Sequence, residues 1–140
     1  MFYSNADIIK EVQTSTARMR LLSSGIIHYT SLPNAEIDVE QHLENHKALI
    51  ELAGPVKRLI LHDSSEMLHI TSEAKKKIRE LESAAPVIAR AMVTTSLGIK
   101  LFINFYVRVN KPQVKNKVFS NYEDAVNWLL QIRELEKQHL

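Results

Sequence analysis

The sequence contains no cysteine, which excludes disulfides, thiolate metal sites and thiol nucleophiles. Because this absence fits a reducing compartment, we expect a cytoplasmic protein. The net charge is also small. A formal charge of +2 over 140 residues is too low to indicate nucleic-acid binding. The densest basic run, Lys75–Arg79, is typical of the solvated face of a helix, and it lacks the interleaved aromatic residues of a single-strand binder.

Membrane signals are weak as well. The first residues lack the basic start and apolar core of a secretory signal. Ile88–Val109 has the length and apolarity of a membrane span, but Arg90, Lys100 and Arg108 interrupt it and Thr94-Thr95-Ser96 breaks its middle. We interpret this stretch as a buried strand followed by a buried helix, and expect no membrane insertion.

What is present is an ordinary globular composition, with 45% hydrophobic and 24% charged residues. A chain of 140 residues suits one domain, and it contains no internal repeat, low-complexity run or linker. Residues up to about Gln13 show no clear period, which is typical of a loose arm or a short edge element. We therefore predict an N-terminal arm over residues 1–13 and one domain over residues 14–140.

Alternating apolar positions predict an antiparallel hairpin in which Ala17, Met19 and Leu21 share one face and Ser23-Ser24-Gly25 forms the turn. Units of strand and helix follow. The predicted strands are 16–22, 26–31, 56–61, 87–93 and 114–119, and the predicted helices are 38–53, 72–81, 97 to about 107, and 121 to about 136. The fold class is therefore α/β, with a mixed sheet of about five strands and about four helices.

Two helix details have sequence signals of their own. The first predicted helix begins at an Asp38 cap and presents a buried stripe of Val39, Leu43, Ile50 and Ala53. Asn110-Lys111-Pro112 is the predicted stop of the third helix.

Polar side chains follow two predicted strands at the point where each ends. They are Asp63, Ser64 and Ser65 after the third strand, and Thr94, Thr95 and Ser96 after the fourth. Ligands of open α/β sheets bind beyond the carboxyl ends of the strands, and the helix after Ser96 starts with unpaired N–H groups that favour an anion. These six residues are a predicted rim for a partner or ligand. The alternative is that Ser96 and Thr95 only cap the helix while Asp63 shapes a turn.

Two further hypotheses, a hydrolase site and a metal site, lack the motifs that would support them. Asp63 near a serine and His62 or His69 suggests a hydrolase, but there is no G-x-S-x-G motif, and adjacent strand residues point to opposite faces. His42 and His46 have a spacing that can serve one metal ion, without an H-E-x-x-H motif or an evident third ligand. We expect no catalytic residue, no metal and no cofactor.

The third predicted helix is apolar nearly all round, and Phe102, Phe105 and Tyr106 are its large aromatic residues. Such a helix needs cover on more sides than one sheet supplies. Three interpretations stay open: an ordinary core helix, the seam of a homodimer, and a wall of a pocket for an acyl chain or other apolar ligand.

Several phrases, in this order, resemble the SpoIIAA-like (STAS-type) family, in particular its branch of small stand-alone bacterial proteins of unassigned function. The phrases are Gly25-Ile26-Ile27-His28, Ala89-Arg90-Ala91, Asn104-Phe105-Tyr106, Asn110-Lys111-Pro112, Val118-Phe119-Ser120 and Glu123-Asp124-Ala125-Val126-Asn127-Trp128-Leu129. The likeness covers about residues 14–132. It implies a non-enzymatic regulatory or interaction module that works through contacts with an unidentified protein partner. The alternative is a small-molecule or lipid-binding protein that uses helix 97–107 and the rim.

The resemblance also implies a modification site. In the antagonist branch of the family, a serine in an Asp-Ser-Ser-Gly turn before a helix is phosphorylated. The matching position here is Ile70–Glu73, where Thr71 replaces the aspartate, Glu73 replaces the second serine and Ala74 replaces the glycine. Ser72 matches the first serine, so Ser72, with Thr71 beside it, is the site that the resemblance implies.

Overall fold

A mixed sheet of six strands forms the centre of the computed structural model, which describes residues 2–110 and 114–138 but not the side chains of 106–110. In chain order the strands are β1 (Ile8–Gln13), β2 (Ala17–Leu22), β3 (Ile26–Ser31), the short β4 (Glu36–Ile37), β5 (Arg58–Asp63), the short β6 (His69–Ile70), β7 (Val87–Val93) and β8 (Lys115–Phe119). The helices are α1 (Val39–Ala53), α2 (Ser72–Leu81), α3 (Leu97–Asn110) and α4 (Tyr122–Gln138).

The strand order in the main sheet is β1-β2-β3-β5-β7-β8. The first three strands pair antiparallel, whereas β3, β5, β7 and β8 pair in parallel. The two short strands β4 and β6 pair with each other beside the main sheet. The predicted α/β class and mixed sheet are confirmed, and the additional strand of the main sheet is β1. Its residues are mostly exposed, so they carry no periodic signal in the sequence.

The hairpin agrees with its prediction. Ala17, Met19 and Leu21 are all buried on one face of β2. Gly25 closes the turn with a φ of +88°, a left-handed conformation that glycine adopts without steric cost. The stretch that resembles a membrane span is β7 followed by α3, and in the described part of the chain no helix has the length and apolarity to cross a bilayer.

The two faces of the sheet are covered differently. On one face, α1 packs over Met19, Ile27 and Ile60, and α2 and α3 lie beside it. On the other face, α4 inserts Leu129 against β5 and β7. Small residues make that close approach feasible, since Ala89, Ala91 and Ala125 are fully buried there. We call these the α1 face and the α4 face.

The predicted buried stripe of α1 is confirmed at Ala53 but is wrong at Leu43 and Ile50. Leu43 and Ile50 are 45% and 43% exposed, and the residues that face the sheet are Ala48, Leu49, Leu52 and Ala53 together with Asn45. The cause is the polar residue in that face. The amide of Asn45 donates to Thr16 Oγ1 (2.9 Å) and accepts from Thr14 Oγ1 (2.5 Å), so it is buried without an unpaired polar group.

Two predicted boundaries also move. β5 begins at Arg58 and not at residue 56, because Val56 is half exposed and the first sheet-side bond is Arg58 N–H to the Pro86 carbonyl (2.9 Å). The helix α3 extends to Asn110, beyond its predicted end near Val107. Of the predicted stop signal, Lys111 and Pro112 lie outside the described residues.

Candidate functional site

The predicted rim lies where β5 and β7 end side by side. Asp63 is opposite Val93 in the sheet, and Ser64 N–H donates to the Val93 carbonyl at 3.1 Å. Adjacent strands therefore bring the Asp63–Ser65 and Thr94–Ser96 segments to one edge, as the sequence interpretation requires of neighbouring strands. Ser64 and Thr94 are fully buried in this edge.

Most polar groups of the rim serve local structure. Ser96 Oγ accepts from Ile99 N–H (3.2 Å) and so caps α3, while Thr94 Oγ1 accepts from Ser96 N–H (3.1 Å). The Asp63 carboxylate accepts from the backbone N–H of Ser65 (2.9 Å) and from its hydroxyl. Ser64 differs, since its buried hydroxyl oxygen has no hydrogen-bond partner in the described part of the chain. The rim thus offers few unused polar groups to a ligand.

A cavity of about 140 Å³ lies on the α1 face, between the sheet and the helices α1, α2 and α3. Its walls are mainly apolar and include Ile37, Leu49, Ile78, Met92, Ile99, Phe102 and Ile103. The polar lining comes from Ser31, Asn45, His42, His46, His62, Lys75, Glu82, Arg90 and Asn116, among others. A mostly apolar hollow with a few converging polar groups is the usual form of a small-molecule site.

The histidines of the cavity are held neutral. Burial, followed by the charge of Arg90, lowers the pKa of His62 to about 3. Burial, followed by the charges of His46, Arg90 and Lys77, lowers the pKa of His42 to about 4. His62 packs on Tyr29 with ring centroids 4.2 Å apart, and its Nε2 lies 3.2 Å from Ser31 Oγ. His42 Nε2, by contrast, is buried without a hydrogen-bond partner among the described residues.

One ion pair lines the same cavity. Arg90 points from β7 to the α1 face, and its Nη1 lies 3.4 Å from Glu82 Oε1 and 3.2 Å from Asn116 Oδ1. Both charged side chains are largely buried, with 18% and 10% of their side-chain surface exposed. Desolvation makes such a pair costly unless its hydrogen bonds are good, and the contact with Glu82 is long.

The α4 face carries a chain of hydrogen bonds that sequence reasoning missed. Arg20 Nη1 donates to Tyr3 Oη (3.2 Å), and Tyr3 Oη lies 2.7 Å from His28 Nδ1. His28 Nε2 lies 3.0 Å from Tyr122 Oη, whose hydroxyl donates to Asp63 Oδ2. Because Tyr122 gives its proton to Asp63, His28 carries its proton on Nε2 and accepts from Tyr3 at Nδ1. We call this series the His28 chain.

While His28 is neutral, every donor in the His28 chain has an acceptor. A second proton, on Nδ1, would take away the acceptor of the Tyr3 hydroxyl. Burial lowers the pKa of His28 to about 4, with the charge of Asp63 opposing and that of Arg20 adding to the shift. Burial alone would raise the pKa of Asp63, but the hydrogen bonds from Ser65 and Tyr122 hold it below its usual value. The sequence offers one signal for this cluster, the apolar neighbours of His28 in a predicted strand, which place it inside the protein.

The structure places the residues of the hydrolase hypothesis and of the metal-site hypothesis. His62 faces the cavity whereas Asp63 faces α4, on opposite sides of the sheet, as the strand period predicts. His42 and His46 lie with ring centroids 6.1 Å apart. Across residues 2–110 and 114–138, no three histidine or acidic side chains are grouped so as to hold a metal ion.

The implied modification site lies at the start of α2. Thr71 is the N-cap, since its Oγ1 accepts from Ala74 N–H (3.1 Å) and donates to Asp38 Oδ1 (2.8 Å). Ser72 is the first residue of α2 and is exposed. Phosphorylation at either residue stays a prediction.

The aromatic residues of α3 lie in different environments. Phe102 faces the cavity, with Lys75 Nζ 4.6 Å from its ring centroid, whereas Phe105 is 64% exposed. Phe105 continues an apolar stripe with Leu97 and Leu101, which are 71% and 61% exposed. The side chain of Tyr106 lies outside the described residues.

Comparison with known proteins gives a family and a fold. The profile of a domain of unknown function, DUF7793, matches residues 20–133. A solved structure of an uncharacterised protein from Shewanella loihica PV-4, from the DUF3478 family and with a SpoIIAA-like fold, superposes with a TM-score of 0.60. It is 12% identical and the match covers 86% of this chain and 90% of that one, so the predicted SpoIIAA-like fold is confirmed. No curated protein matches the sequence.

Proposed function

We propose that this protein, which belongs to the DUF7793 family of domains of unknown function, binds a small and mainly apolar molecule in the α1-face cavity. The observation that carries the proposal is His42 Nε2, a buried polar atom that lines the cavity and has no hydrogen-bond partner among the described residues. Leaving such an atom unpaired costs about 1–3 kcal/mol, which a ligand with one polar group would recover.

The size of the cavity limits the ligand. An apolar protein cavity of about 150 Å³ holds benzene, whereas sites for drug-sized molecules start at about 300 Å³. The α1-face cavity, at about 140 Å³, therefore suits a single ring or a short chain of about six to ten non-hydrogen atoms. A complete long-chain lipid would need more room, so we propose a small molecule in preference to the lipid alternative.

This role requires no reaction. The histidines of the cavity are neutral, and His62 is already in contact with Ser31 and Tyr29. We keep the prediction that the protein is not an enzyme and resides in the cytoplasm. Activity toward any ligand that fits the cavity would contradict the first of these, and enrichment in a membrane or secreted fraction of the host would contradict the second.

Filling the cavity is expected to abolish binding. Ala85 is a buried lining residue, and Ala85→Leu places three more carbons in the space that the ligand would occupy. We expect toluene and benzyl alcohol at millimolar concentration to raise the Tm of the wild-type protein and to leave the Tm of Ala85→Leu unchanged. Titration calorimetry with the same probes gives the affinities.

Ala84→Leu is the matched control, because Ala84 is the exposed neighbour in the chain and adds the same group outside the cavity. It should bind both probes like the wild type. Equal probe binding by the Ala85 and Ala84 variants would place the ligand elsewhere, and an unchanged wild-type Tm with every small aromatic or aliphatic probe would refute the proposal.

The protein-contact role implied by the family resemblance is the second candidate. The exposed stripe of α3, formed by Leu97, Leu101 and Phe105, favours it because three large apolar side chains at helical spacing face solvent. The stripe is uncharged, so a second copy of the chain can cover it through a two-fold interface in which like faces like. This homodimer would bury Phe105 but not Phe102, which faces the cavity.

Oligomeric state tests the second candidate. We expect light scattering at micromolar concentration to give the dimer mass for the wild type and the monomer mass for Leu101→Asp, since a carboxylate cannot be buried unpaired. Leu135→Asp is the control, because Leu135 is a 45% exposed leucine on α4 and should leave the dimer intact. A monomeric wild type would contradict the homodimer.

A further inference from the structure

The charges of the cavity walls do not balance. Among the described lining residues, Arg90 and Lys75 are cations and Glu82 is the anion. Histidines 42, 46 and 62 add no charge at neutral pH, because burial lowers the pKa of each. The lining therefore has an excess positive charge in a mainly apolar space, where electrostatic interactions are stronger than in water.

Arg90 lies at the centre of this charge. Its positive charge helps to lower the pKa of His42, His46 and His62, so it acts on the α1 wall and the β5 wall of the cavity. Among the described residues its hydrogen bonds go to Glu82 and Asn116, and both use Nη1. A guanidinium offers five N–H donors in a planar fork, and it binds a carboxylate best through two parallel bonds. The pairing with Glu82 is single and long, so the fork has unused donor capacity.

His42 supplies a second polar group for the same ligand. Its unpartnered Nε2 lines the cavity with Arg90. When the ring proton is on Nε2, this atom donates, and a carboxylate has two oxygens that accept hydrogen bonds from a ring N–H and a guanidinium N–H. A neutral amide of the same shape has only one such oxygen, and an ammonium group has none.

We propose that the α1-face cavity selects a small organic monocarboxylate over the corresponding neutral amide or amine, and that Arg90 determines this selection. The inference rests on the proposed ligand-binding function and adds the chemical class of the ligand. The apolar walls hold the ring or short chain, while the carboxylate lies toward Arg90 and His42. Lys75, whose ammonium group lies over the Phe102 ring at one wall, adds to the attraction.

Three single-ring probes test the selection: the isosteric pair benzoate and benzamide, and the slightly smaller cation benzylamine, titrated calorimetrically at pH 7 with toluene as the apolar reference. Charge-assisted hydrogen bonds are about twice as strong as neutral ones, so we expect benzoate to bind at least about tenfold more tightly than benzamide. Benzylamine should bind most weakly. Benzamide binding as tightly as benzoate would overturn the inference while leaving the proposed function intact. Failure of all four probes and of every small aliphatic probe would refute the proposed function and the inference with it.

Two variants assign the effect to Arg90. Arg90→Met keeps an unbranched apolar side chain and removes the guanidinium with its charge, and it should erase the preference for benzoate while benzamide still binds. Glu82→Gln removes the competing carboxylate, so it should tighten benzoate binding severalfold and leave benzamide unchanged. Arg79→Met, on the exposed side of α2, is the control and should behave like the wild type. If Arg90→Met does not fold, Glu82→Gln decides: unchanged or weaker benzoate binding overturns the inference.

Discussion

Acidification from pH 7 to pH 5 is expected to destabilise the folded protein strongly through His28. The pKa of this side chain falls from an ordinary 6.5 to about 4 on folding. In this range the unfolded chain therefore binds more protons than the folded one, and the free energy of unfolding decreases as the pH falls. The stabilisation is complete above about pH 6.5 and is lost progressively down to about pH 4. His28 alone accounts for about 2 kcal/mol at pH 5, a large part of a typical domain stability of 5–15 kcal/mol.

The main physical reason is burial of the imidazole ring, and the His28 chain acts in the same direction. A proton added to Nδ1 would meet the Tyr3 hydroxyl that now donates to it, and Arg20 already donates to the same oxygen. His42 and His62 act in the same direction, because burial lowers their pKa to about 4 and about 3, so the wild type loses more stability on acidification than His28 alone accounts for.

Urea denaturation at pH 7 and pH 5 measures this effect. The variant His28→Gln should lose about 2 kcal/mol less than the wild type between the two pH values, whatever its stability at pH 7. His69→Gln is the control, because His69 is exposed and should leave the pH dependence of the wild type unchanged. An equal pH dependence in His28→Gln and the wild type would show that His28 does not carry the acid sensitivity.

Truncation of Leu129 is the second change with a large expected effect. Leu129 is fully buried between α4 and the sheet, where it packs in one cluster with Leu61, Ala89 and Ala91. Leu129→Ala removes the apolar contacts and leaves a void that the neighbouring strands cannot close, because the methyl side chains of Ala89 and Ala91 are too short to fill it. We expect a loss of about 3 kcal/mol in the free energy of unfolding.

Leu130 provides a matched control on the same helix. It is 39% exposed, so Leu130→Ala removes the same atoms with little change in packing and should cost under about 1 kcal/mol. Chemical denaturation of both variants at pH 7 measures the difference. Similar losses for the two variants would contradict the orientation of α4 on the sheet.

The elements of the fold are readable because their local signals agree. Gly25 needs a left-handed turn conformation that few other residues adopt, and the alternation of Ala17, Met19 and Leu21 has a single structural solution. The predicted α1 stripe is wrong at Leu43 and Ile50 because periodicity counts apolar residues only. Asn45 occupies the buried face through hydrogen bonds to Thr14 and Thr16, which belong to a distant part of the chain. No local pattern contains that information.

One part of the candidate site could be predicted from the sequence and the other could not. The rim at Asp63 and Ser96 follows from strand ends that the sequence marks, and the structure brings the two segments to one edge. The cavity does not follow from any such mark. Its polar residues come from β3, α1, β5, α2 and the residue after it, β7 and β8, and their convergence depends on how α1, α2 and α3 pack.

By itself, the amino-acid sequence determined the α/β class, the order of the four helices and of the five predicted strands, the hairpin and the absence of thiol chemistry. These depend on residue periodicity and turn chemistry within a few positions of each other. Only the tertiary structure decided that His42 and Arg90 share a cavity and that Tyr3, His28 and Tyr122 form a chain. Such contacts join residues far apart in sequence, and packing of whole elements sets their geometry.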